Sequence, residues 1–505
     1  MNVAARQLNH SKPIATLLRG FAEAPDIAIS GIASDTRDIR DGYLFLACRG
    51  NRSHGLDYAA QAIEAGAAAI AYDASTATSL PDVAAPLIPV DTLRSRLGEI
   101  ANRFYDYPSK SVQVLAVTGT NGKTTVAWLL AQCLRRLGKT CGYAGTVGYG
   151  VDEIGGGEGM TTPDVVELQR RLATFRDAGA GYAAVEVSSH ALAQDRIDGV
   201  VIDTALFTNL SRDHLDYHGD MEAYGEAKAS LFLAAQPARR IINVDSDFGL
   251  ALEKRCGPDV ITVSTDTARV DSRSPHLVLR SMHATAHGFA VSVKSSWGNG
   301  GFHLPLHGEF NVGNAALVLA ALLVEGVALD AACAALAASE APPGRLQRVE
   351  AGSGPDVFVD YAHTPAAVES ALRALRQHCG GELWCVFGCG GDRDAGKRPL
   401  MARAAERSAD RIVVTNDNPR GEEPGSIIGA ILDGFADHAA VTVIEDRAAA
   451  IAWAISAAAD NDVVLLAGKG HESYQIIGGE RHRFSDYGIA AASLAARERR
   501  AEEGE

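Results

Sequence analysis

Residues 112–125, VQVLAVTGTNGKTT, restrict this chain more than any other stretch. An uncharged apolar run reads as a buried strand, and the residues after 123 read as a helix. Between them lie two glycines, a lysine and two threonines. A strand that feeds such a turn into a helix N-terminus aims backbone N–H groups and the positive helix end at an anion. Lys123 adds a cation, and a threonine hydroxyl suits magnesium. The full phosphate-loop pattern would begin with glycine where Val117 stands, so this is a shortened form. The spacing predicts a nucleotide-phosphate site over Gly119, Thr120, Asn121, Gly122, Lys123, Thr124 and Thr125, rather than a turn with a surface lysine.

Around that loop, apolar runs at 112–117, 182–187, 201–208 and 240–244 alternate with helical stretches, which predicts a mainly parallel sheet. Upstream, residues 41–73 read as strand, loop, helix, strand, followed by a helix near 93–104. Downstream, 274–293 alternates apolar and polar residues, as in an antiparallel appendage, and an alanine-rich helical stretch spans 313–339. The sequence APPG at 341–344 predicts a hinge. Beyond it, DVFVDYA, LWCVFG, RIVVTN, AVTVI and DVVLLAG are strand candidates alternating with helices, a second doubly wound sheet. At about 100–200 residues per domain, 505 residues suggest three domains. The expected fold is α/β: an N-terminal domain at 1–108, a central phosphate-loop ATPase domain with a mainly parallel sheet at 109–341, and a C-terminal Rossmann-like domain at 342–505.

Composition narrows the partners. A net charge of −15 argues against nucleic acid, which needs clustered Lys and Arg. No apolar run reaches membrane-spanning length, and the N-terminus has no apolar signal core, so a cytoplasmic protein is expected; a monomer acting on small molecules is the separate expectation. The eight cysteines are scattered. Cys385, inside LWCVF, reads as a small buried hydrophobe rather than a metal ligand beside Cys379 and Cys389.

Further polar residues collect at predicted strand ends. Glu186 follows GYAAV, where open α/β sheets place ligands, and is a candidate for magnesium. His214, in FTNLSRDHLDYHG, is a candidate second ligand. Lys228 reads, from spacing alone, as a solvated helix lysine. In the last domain GGDRDAGKR, TNDNPRGEEP and LLAGKGHE each follow a strand, and together they suggest a binding site containing arginines that suit carboxylates.

Taken in order, GTNGKTT, EVSSHAL, DHLDYHG, DYAHTP, GGDRDAGKRPLM, DNPR and GKGHE resemble the Mur ligases of peptidoglycan synthesis, in particular their diaminopimelate-adding branch. The resemblance spans the chain from SDTRDIRDGYLF at 34–45 to Glu472. It implies an ATP-dependent amide ligase: ATP phosphorylates the D-glutamate side-chain carboxylate of UDP-MurNAc-L-Ala-D-Glu, and the amine of meso-diaminopimelate attacks the acyl phosphate. By the same resemblance Lys123, Glu186, His214 and Lys228 are catalytic. Lys228 is the lysine carbamylated in this family, and Thr124, Glu186, His214 and Lys228 surround magnesium. Asn314, Arg345 and Asp360 contact ATP. Ser34, Thr36, Asn51, Arg52, Ser53, Thr161, Thr162, Ser188, Gln194 and Arg196 hold the UDP-muramoyl dipeptide. Arg393, Asp417, Asn418, Pro419, Arg420, Gly468 and Glu472 hold diaminopimelate. Arg420 pairs with its far carboxylate and Glu472 with its far ammonium; lysine lacks the carboxylate, and relatives that add lysine carry another residue in place of Arg420.

Three other readings compete. A folylpolyglutamate synthetase shares the shortened loop, but DNPR and the UDP-type N-terminal domain speak against it. A nucleotide-driven switch would turn over ATP without any amine. A silent scaffold would not retain Lys123, Thr124, Glu186, His214 and Lys228 together.

Overall fold

The computed structural model describes residues 11–50, 53–155, 159–271, 273–350 and 353–503. The chain groups into two compact units, residues 1–278 with 317–327 and residues 279–316 with 328–505. The strand His276–Thr285 and the helix Glu309–Val324 each contribute residues to both.

The first unit opens with a four-stranded parallel sheet, Gly31–Ala33, Tyr43–Ala47, Ala67–Asp73 and Leu87–Val90, in that order. Successive side chains of a strand point to opposite faces. Leu44 and Leu46 accordingly pack with Ile100, Ala101 and Phe104 of the helix Leu97–Tyr105, whereas Phe45 and Ala47 pack with Leu56, Ala59 and Ala62. The unit's larger sheet runs Val260–Ser264, Arg239–Asn243, Thr204–Phe207, Gln113–Thr118, Tyr182–Glu186, Cys141–Gly145 and Gly148–Gly150. All of these pairings are parallel except the last. Residues 114–118 are all buried, as a central strand covered on both faces requires.

The second unit contains a sheet ordered Gln347–Arg348, Asp356–Asp360, Val463–Ala467, Leu383–Phe387, Arg411–Val414 and Val441–Val443, parallel apart from its first strand. Alternation again sorts the core. Phe358, Cys385, Phe387 and Leu465 meet Leu372, Met401 and Ile431 on one side. Val357, Val359, Trp384, Val386 and Leu466 meet Ile451, Ile455 and Leu494 on the other. Cys385 is fully buried in its strand, and burial pushes its thiol up to about 12.

Several local expectations shift. The antiparallel segment extends to Gly298–Leu304, and its first strand also pairs in parallel with Val260–Ser264. The helical stretch at 313–339 is two helices, Glu309–Val324 and Leu329–Ala337, separated at Gly326, whose φ of 79° ends the first. Among the described residues no helix is long and apolar enough to cross a membrane.

His307 is buried in the second unit, with its ring 4.6 Å from those of Phe358 and His378. His378 donates from Nδ1 to the Thr285 carbonyl at 2.8 Å. Burial, then the neighbouring His378, lowers the His307 pKa to about 4. The folded state therefore refuses a proton that the unfolded chain takes up between pH 6.5 and 4, so stability falls with pH across that window. Urea unfolding should show a loss of roughly 3 kcal/mol from this group. The His307→Gln protein should show a correspondingly shallower acid dependence.

Candidate active site

The strand Gln113–Thr118 carries the phosphate loop to the helix Lys123–Arg136. Gly119 has φ of 149°, and a Cβ there would stand 1.8 Å from Thr208 Oγ1, so only glycine fits. The end of the neighbouring strand fastens the loop. Thr120 N–H donates to Asn209 O at 2.9 Å, and Asn121 N–H to Asn209 Oδ1 at 3.0 Å. Thr208 Oγ1 donates to Asn121 O at 2.6 Å. Gly122, at φ of 84°, is the helix N-cap and supplies no side chain to its first N–H groups. A helix start without a side-chain cap is suited to an anion. Lys123 Nζ folds over the loop, 3.0 Å from Gly119 O and 2.8 Å from Thr120 O.

Glu186 ends the adjacent strand and is fully buried. Its Oε1 accepts from Tyr143 Oη at 2.6 Å and from Thr146 N at 2.9 Å. Its Oε2 accepts from Thr124 Oγ1 at 2.8 Å and Thr146 Oγ1 at 3.2 Å. The carboxylate is thus held rigidly against the first turn of the phosphate-loop helix. Thr161 Oγ1 lies 3.1 Å from Thr146 Oγ1. The Thr162 hydroxyl is engaged internally, donating to Glu186 O at 2.7 Å and accepting from Ser188 N at 3.0 Å. Ser188 Oγ caps the helix Ser189–Ala193. Arg196 reaches both Gln194 Oε1 and Thr162 O, and Gln194 Nε2 donates to Tyr217 Oη at 2.9 Å.

Lys228 is not the solvated lysine its spacing suggests. It is 1% exposed, donates to Gly119 O at 2.8 Å and lies 4.4 Å over the Tyr224 ring. Burial, then the charge of Lys123, lowers its pKa to about 6. His214, exposed and at φ of 52°, stands edge-on to His190 with ring centroids 4.8 Å apart. Tyr224 Oη, 3.1 Å from Thr120 Oγ1, connects this aromatic group to the loop. In the first unit the structure therefore brings together the loop, Glu186, Thr161, Thr162 and Lys228, with His214 beside His190.

A cavity of about 420 Å³ opens at the edge of the N-terminal sheet, lined by Ser34, Thr36, Arg37, Ser53, Tyr58 and Gln61 among others. Asn51 and Arg52 lie outside the described residues.

In the second unit the residues expected for the amino acid gather at the ends of two adjoining loops. Asn418 Nδ2 donates to Glu472 Oε2 at 2.9 Å. Gly468, at φ of 120°, passes so close to Asp417 that a Cβ would stand 2.7 Å from Asp417 Oδ2. Pro419 is buried, and the Arg420 guanidinium donates from Nη1 to Gly391 O at 2.8 Å. Arg420 N–H bonds Ile476 O, which ties this turn to the hairpin Tyr474–Ile477 and Glu480–Arg483. Arg393 is exposed on the preceding loop. The Arg345 guanidinium sits 5.0 Å over the Tyr361 ring. Asp360 accepts from the N–H groups of Leu346 and Ala362, and burial raises its pKa. Asn314 is buried and donates to Asn311 Oδ1 at 2.9 Å.

Family models match three stretches: the Mur ligase family catalytic domain at 28–105, the Mur ligase middle domain at 117–322 and the Mur ligase glutamate ligase domain at 344–470. A Pseudomonas aeruginosa relative, UDP-N-acetylmuramoyl-L-alanyl-D-glutamate–2,6-diaminopimelate ligase, is 48% identical over 477 residues, which cover 93% of this chain and 96% of that one. The chain belongs to the Mur ligase family. A solved structure of a ligase with the same name aligns with a TM-score of 0.69 and 32% identity, covering 97% of this Mur ligase and 99% of its own chain. A Mycobacterium tuberculosis folylpolyglutamate synthase shares the fold, with a TM-score of 0.60 and 21% identity over 79% of this chain and 95% of its own.

Sequence reasoning missed Tyr143 and Thr146, which hold Glu186 in this Mur ligase, and Lys469, which touches Glu472. Tyr143 lies inside the strand Cys141–Gly145 and Thr146 directly after it, and neither was singled out. Lys469 was visible inside GKGHE, but sequence does not separate a buried lysine from a surface one.

The Gly119→Ala protein should lose roughly 1–3 kcal/mol in urea unfolding, because the methyl meets Thr208 in a backbone region that alanine avoids. Gly313→Ala, on a helix with open space around the added methyl, should instead be neutral or stabilising by up to about 1 kcal/mol.

Proposed function

We propose that this Mur ligase joins meso-diaminopimelate to the D-glutamate side-chain carboxylate of UDP-MurNAc-L-Ala-D-Glu, driven by ATP, in peptidoglycan synthesis. The observation that carries the reading is the cluster of Asp417, Asn418, Arg420 and Glu472 on a chain nearly half identical to a 2,6-diaminopimelate ligase. A free carboxylate is a poor acyl acceptor. Its oxygen attacks the γ-phosphorus of ATP, ADP leaves, and the resulting acyl phosphate carries a good leaving group. The amine nitrogen then attacks the carbonyl carbon, phosphate departs with the C–O bond electrons, and the amine gives up a proton as the amide forms.

The chain's residues divide this work. The N–H groups at the start of the helix Lys123–Arg136 and the Lys123 ammonium hold the phosphates and balance the charge that develops on the transferring group. Glu186 and the Thr124 hydroxyl, 2.8 Å apart, offer hard oxygen ligands of the kind magnesium takes alongside phosphate oxygens and water. When bound, magnesium neutralises phosphate charge. With its pKa near 6, Lys228 is largely neutral at pH 7, the form in which its nitrogen adds carbon dioxide and releases a proton. The carbamate so formed would turn the lysine nitrogen into an anionic group with oxygens able to hold magnesium. His214 would complete the set of residues that hold magnesium. Asn314, Arg345 and Asp360 are assigned to ATP.

Ser34, Thr36 and Ser53, on the N-terminal cavity, with Asn51 and Arg52, receive the UDP end. Thr161, Thr162, Ser188, Gln194 and Arg196 receive the muramoyl dipeptide. Arg393, Pro419 and Gly468 complete the diaminopimelate site around Asp417, Asn418, Arg420 and Glu472. Arg420 takes the far carboxylate of diaminopimelate. Lysine would leave that guanidinium unpaired, a penalty of charge rather than of size. We assign the domain boundaries to 108/109 and 341/342, and place the enzyme in the cytoplasm as a monomer.

A phosphate-release assay with UDP-MurNAc-L-Ala-D-Glu and ATP should depend on meso-diaminopimelate and respond weakly to lysine. Amine-independent turnover would instead favour a nucleotide-driven switch. Lys123→Ala should lower kcat by about a hundredfold or more, since the phosphoryl oxygens lose their nearest cation. Arg420→Ala should raise KM for diaminopimelate by tenfold to a hundredfold while leaving KM for ATP near its original value. Equal effects on the two constants would remove Arg420 from the amino-acid site.

A further inference from the structure

Lys469 belongs to the second unit and is fully buried. A buried ammonium is costly unless its charge and its donors are answered. Here Nζ donates to Glu472 Oε2 at 2.9 Å and to Asn418 Oδ1 at 3.0 Å. The rings of Tyr474 and Phe484 lie 5.6 and 6.0 Å away. Asn418 Nδ2 closes the ring of contacts by donating to the same Glu472 Oε2 at 2.9 Å. The Ile476 N–H donates to Asn418 Oδ1 at 3.0 Å, so the amide can neither flip nor leave. The turn is closed by Glu472 N–H on Lys469 O at 3.0 Å.

This arrangement separates the two oxygens of Glu472. Oε2 is filled by a cation and an amide. Oε1 has no hydrogen-bond partner among the described residues, and the side chain retains 17% exposure. A carboxylate on a flexible stem ordinarily samples several rotamers. Lys469 and Asn418 together leave it one.

We infer that Lys469 is a positioning residue for amino-acid recognition, fixing Glu472 and Asn418 so that Glu472 Oε1 alone is presented to the far ammonium of the diamino dicarboxylic acid. This deepens the function proposed above and rests on it. Lys469, fully buried, acts through Glu472.

The test is a double-mutant cycle in the full-length enzyme with phosphate release as readout. Lys469→Met keeps the length of the stem and removes the charge. It should raise KM for meso-diaminopimelate about tenfold or more, with kcat and KM for ATP changed by about twofold or less. In the Glu472→Gln background the same change should add almost nothing, because its target is already gone. A second measurement stands apart from catalysis. Glu472→Gln leaves the Lys469 ammonium buried without its anion, so its melting temperature should fall by several degrees, and Lys469→Met should restore part of the loss.

The inference is overturned if Lys469→Met leaves KM for diaminopimelate unchanged, if the two substitutions add independently, or if Glu472→Gln melts like the parent. A parent enzyme whose phosphate release ignores diaminopimelate overturns the functional reading, and this inference with it. A parent that depends on diaminopimelate while Lys469→Met behaves identically overturns the inference alone.

Discussion

Two lysine side-chain nitrogens converge on one backbone carbonyl. Gly119 O accepts from Lys123 at 3.0 Å and from Lys228 at 2.8 Å, and much of the first unit's design follows from making that tolerable. Two cations so placed would repel, and burial first, with Lys123 next, lowers the Lys228 pKa to about 6. Keeping Lys228 charged there would cost roughly 6 kcal/mol relative to an exposed lysine. A folded protein retains such a group when something else compensates. Under the proposed function, an anion at the loop would answer Lys123, and a neutral or carbamylated Lys228 would remove the second charge. The same geometry requires Gly119, because no side chain fits between the loop and Thr208. It also requires the rigid neighbour strand whose Thr208 and Asn209 hold the loop in place.

The second unit handles charge differently, with a buried ion pair as scaffold. Arg447 and Asp486 are both fully buried and joined by two hydrogen bonds of 2.7 and 2.6 Å. Arg447 also donates to Asn416 O at 3.2 Å and to Ala467 O at 3.0 Å. Those carbonyls begin the two loops that carry Asp417–Arg420 and Gly468–Glu472. One guanidinium thereby sets the spacing between the loops from behind, while Lys469 joins their tips from within. Removing either partner of the Arg447–Asp486 pair would leave a buried charge unanswered, which is far more damaging than never having built the pair.

The sequence was most legible where periodicity and loop chemistry agree. The strand, glycine-rich loop and helix at 112–136 fold as their pattern predicts, because apolar continuity, φ-permissive glycines and a helix start point the same way. The strands of the second sheet from Asp356 onward were equally readable, while Gln347–Arg348 is too short and polar to signal itself. The hairpin at 474–483 was missed although Gly478-Gly479, both at positive φ, is a known signal for a two-residue turn. Burial of single polar residues was the least legible property. Lys228 and Lys469 look alike in sequence to any helix or loop lysine, yet one is 1% and the other 0% exposed. What buries them comes from residues distant in sequence, Gly119 in one case and Asn418 in the other.

Local charge balance gives a reason why the second-unit loops suit a zwitterion at both of its ends. Arg420 and Lys469 supply two cations, and Asp417 and Glu472 supply two anions, so the loops are neutral overall but polarised in space. A molecule whose far end carries both an ammonium and a carboxylate matches that pattern without leaving net charge in a partly desolvated place. Under the proposed assignment, a far end carrying only an ammonium would satisfy Glu472 and leave Arg420 in excess. Since Glu472 Oε2 is already occupied by Lys469, strengthening the ammonium contact cannot make up the difference. Discrimination of this kind scales with the cost of an unpaired buried charge rather than with the size of a missing group. It therefore persists even where the pocket is roomy enough to admit the smaller amine.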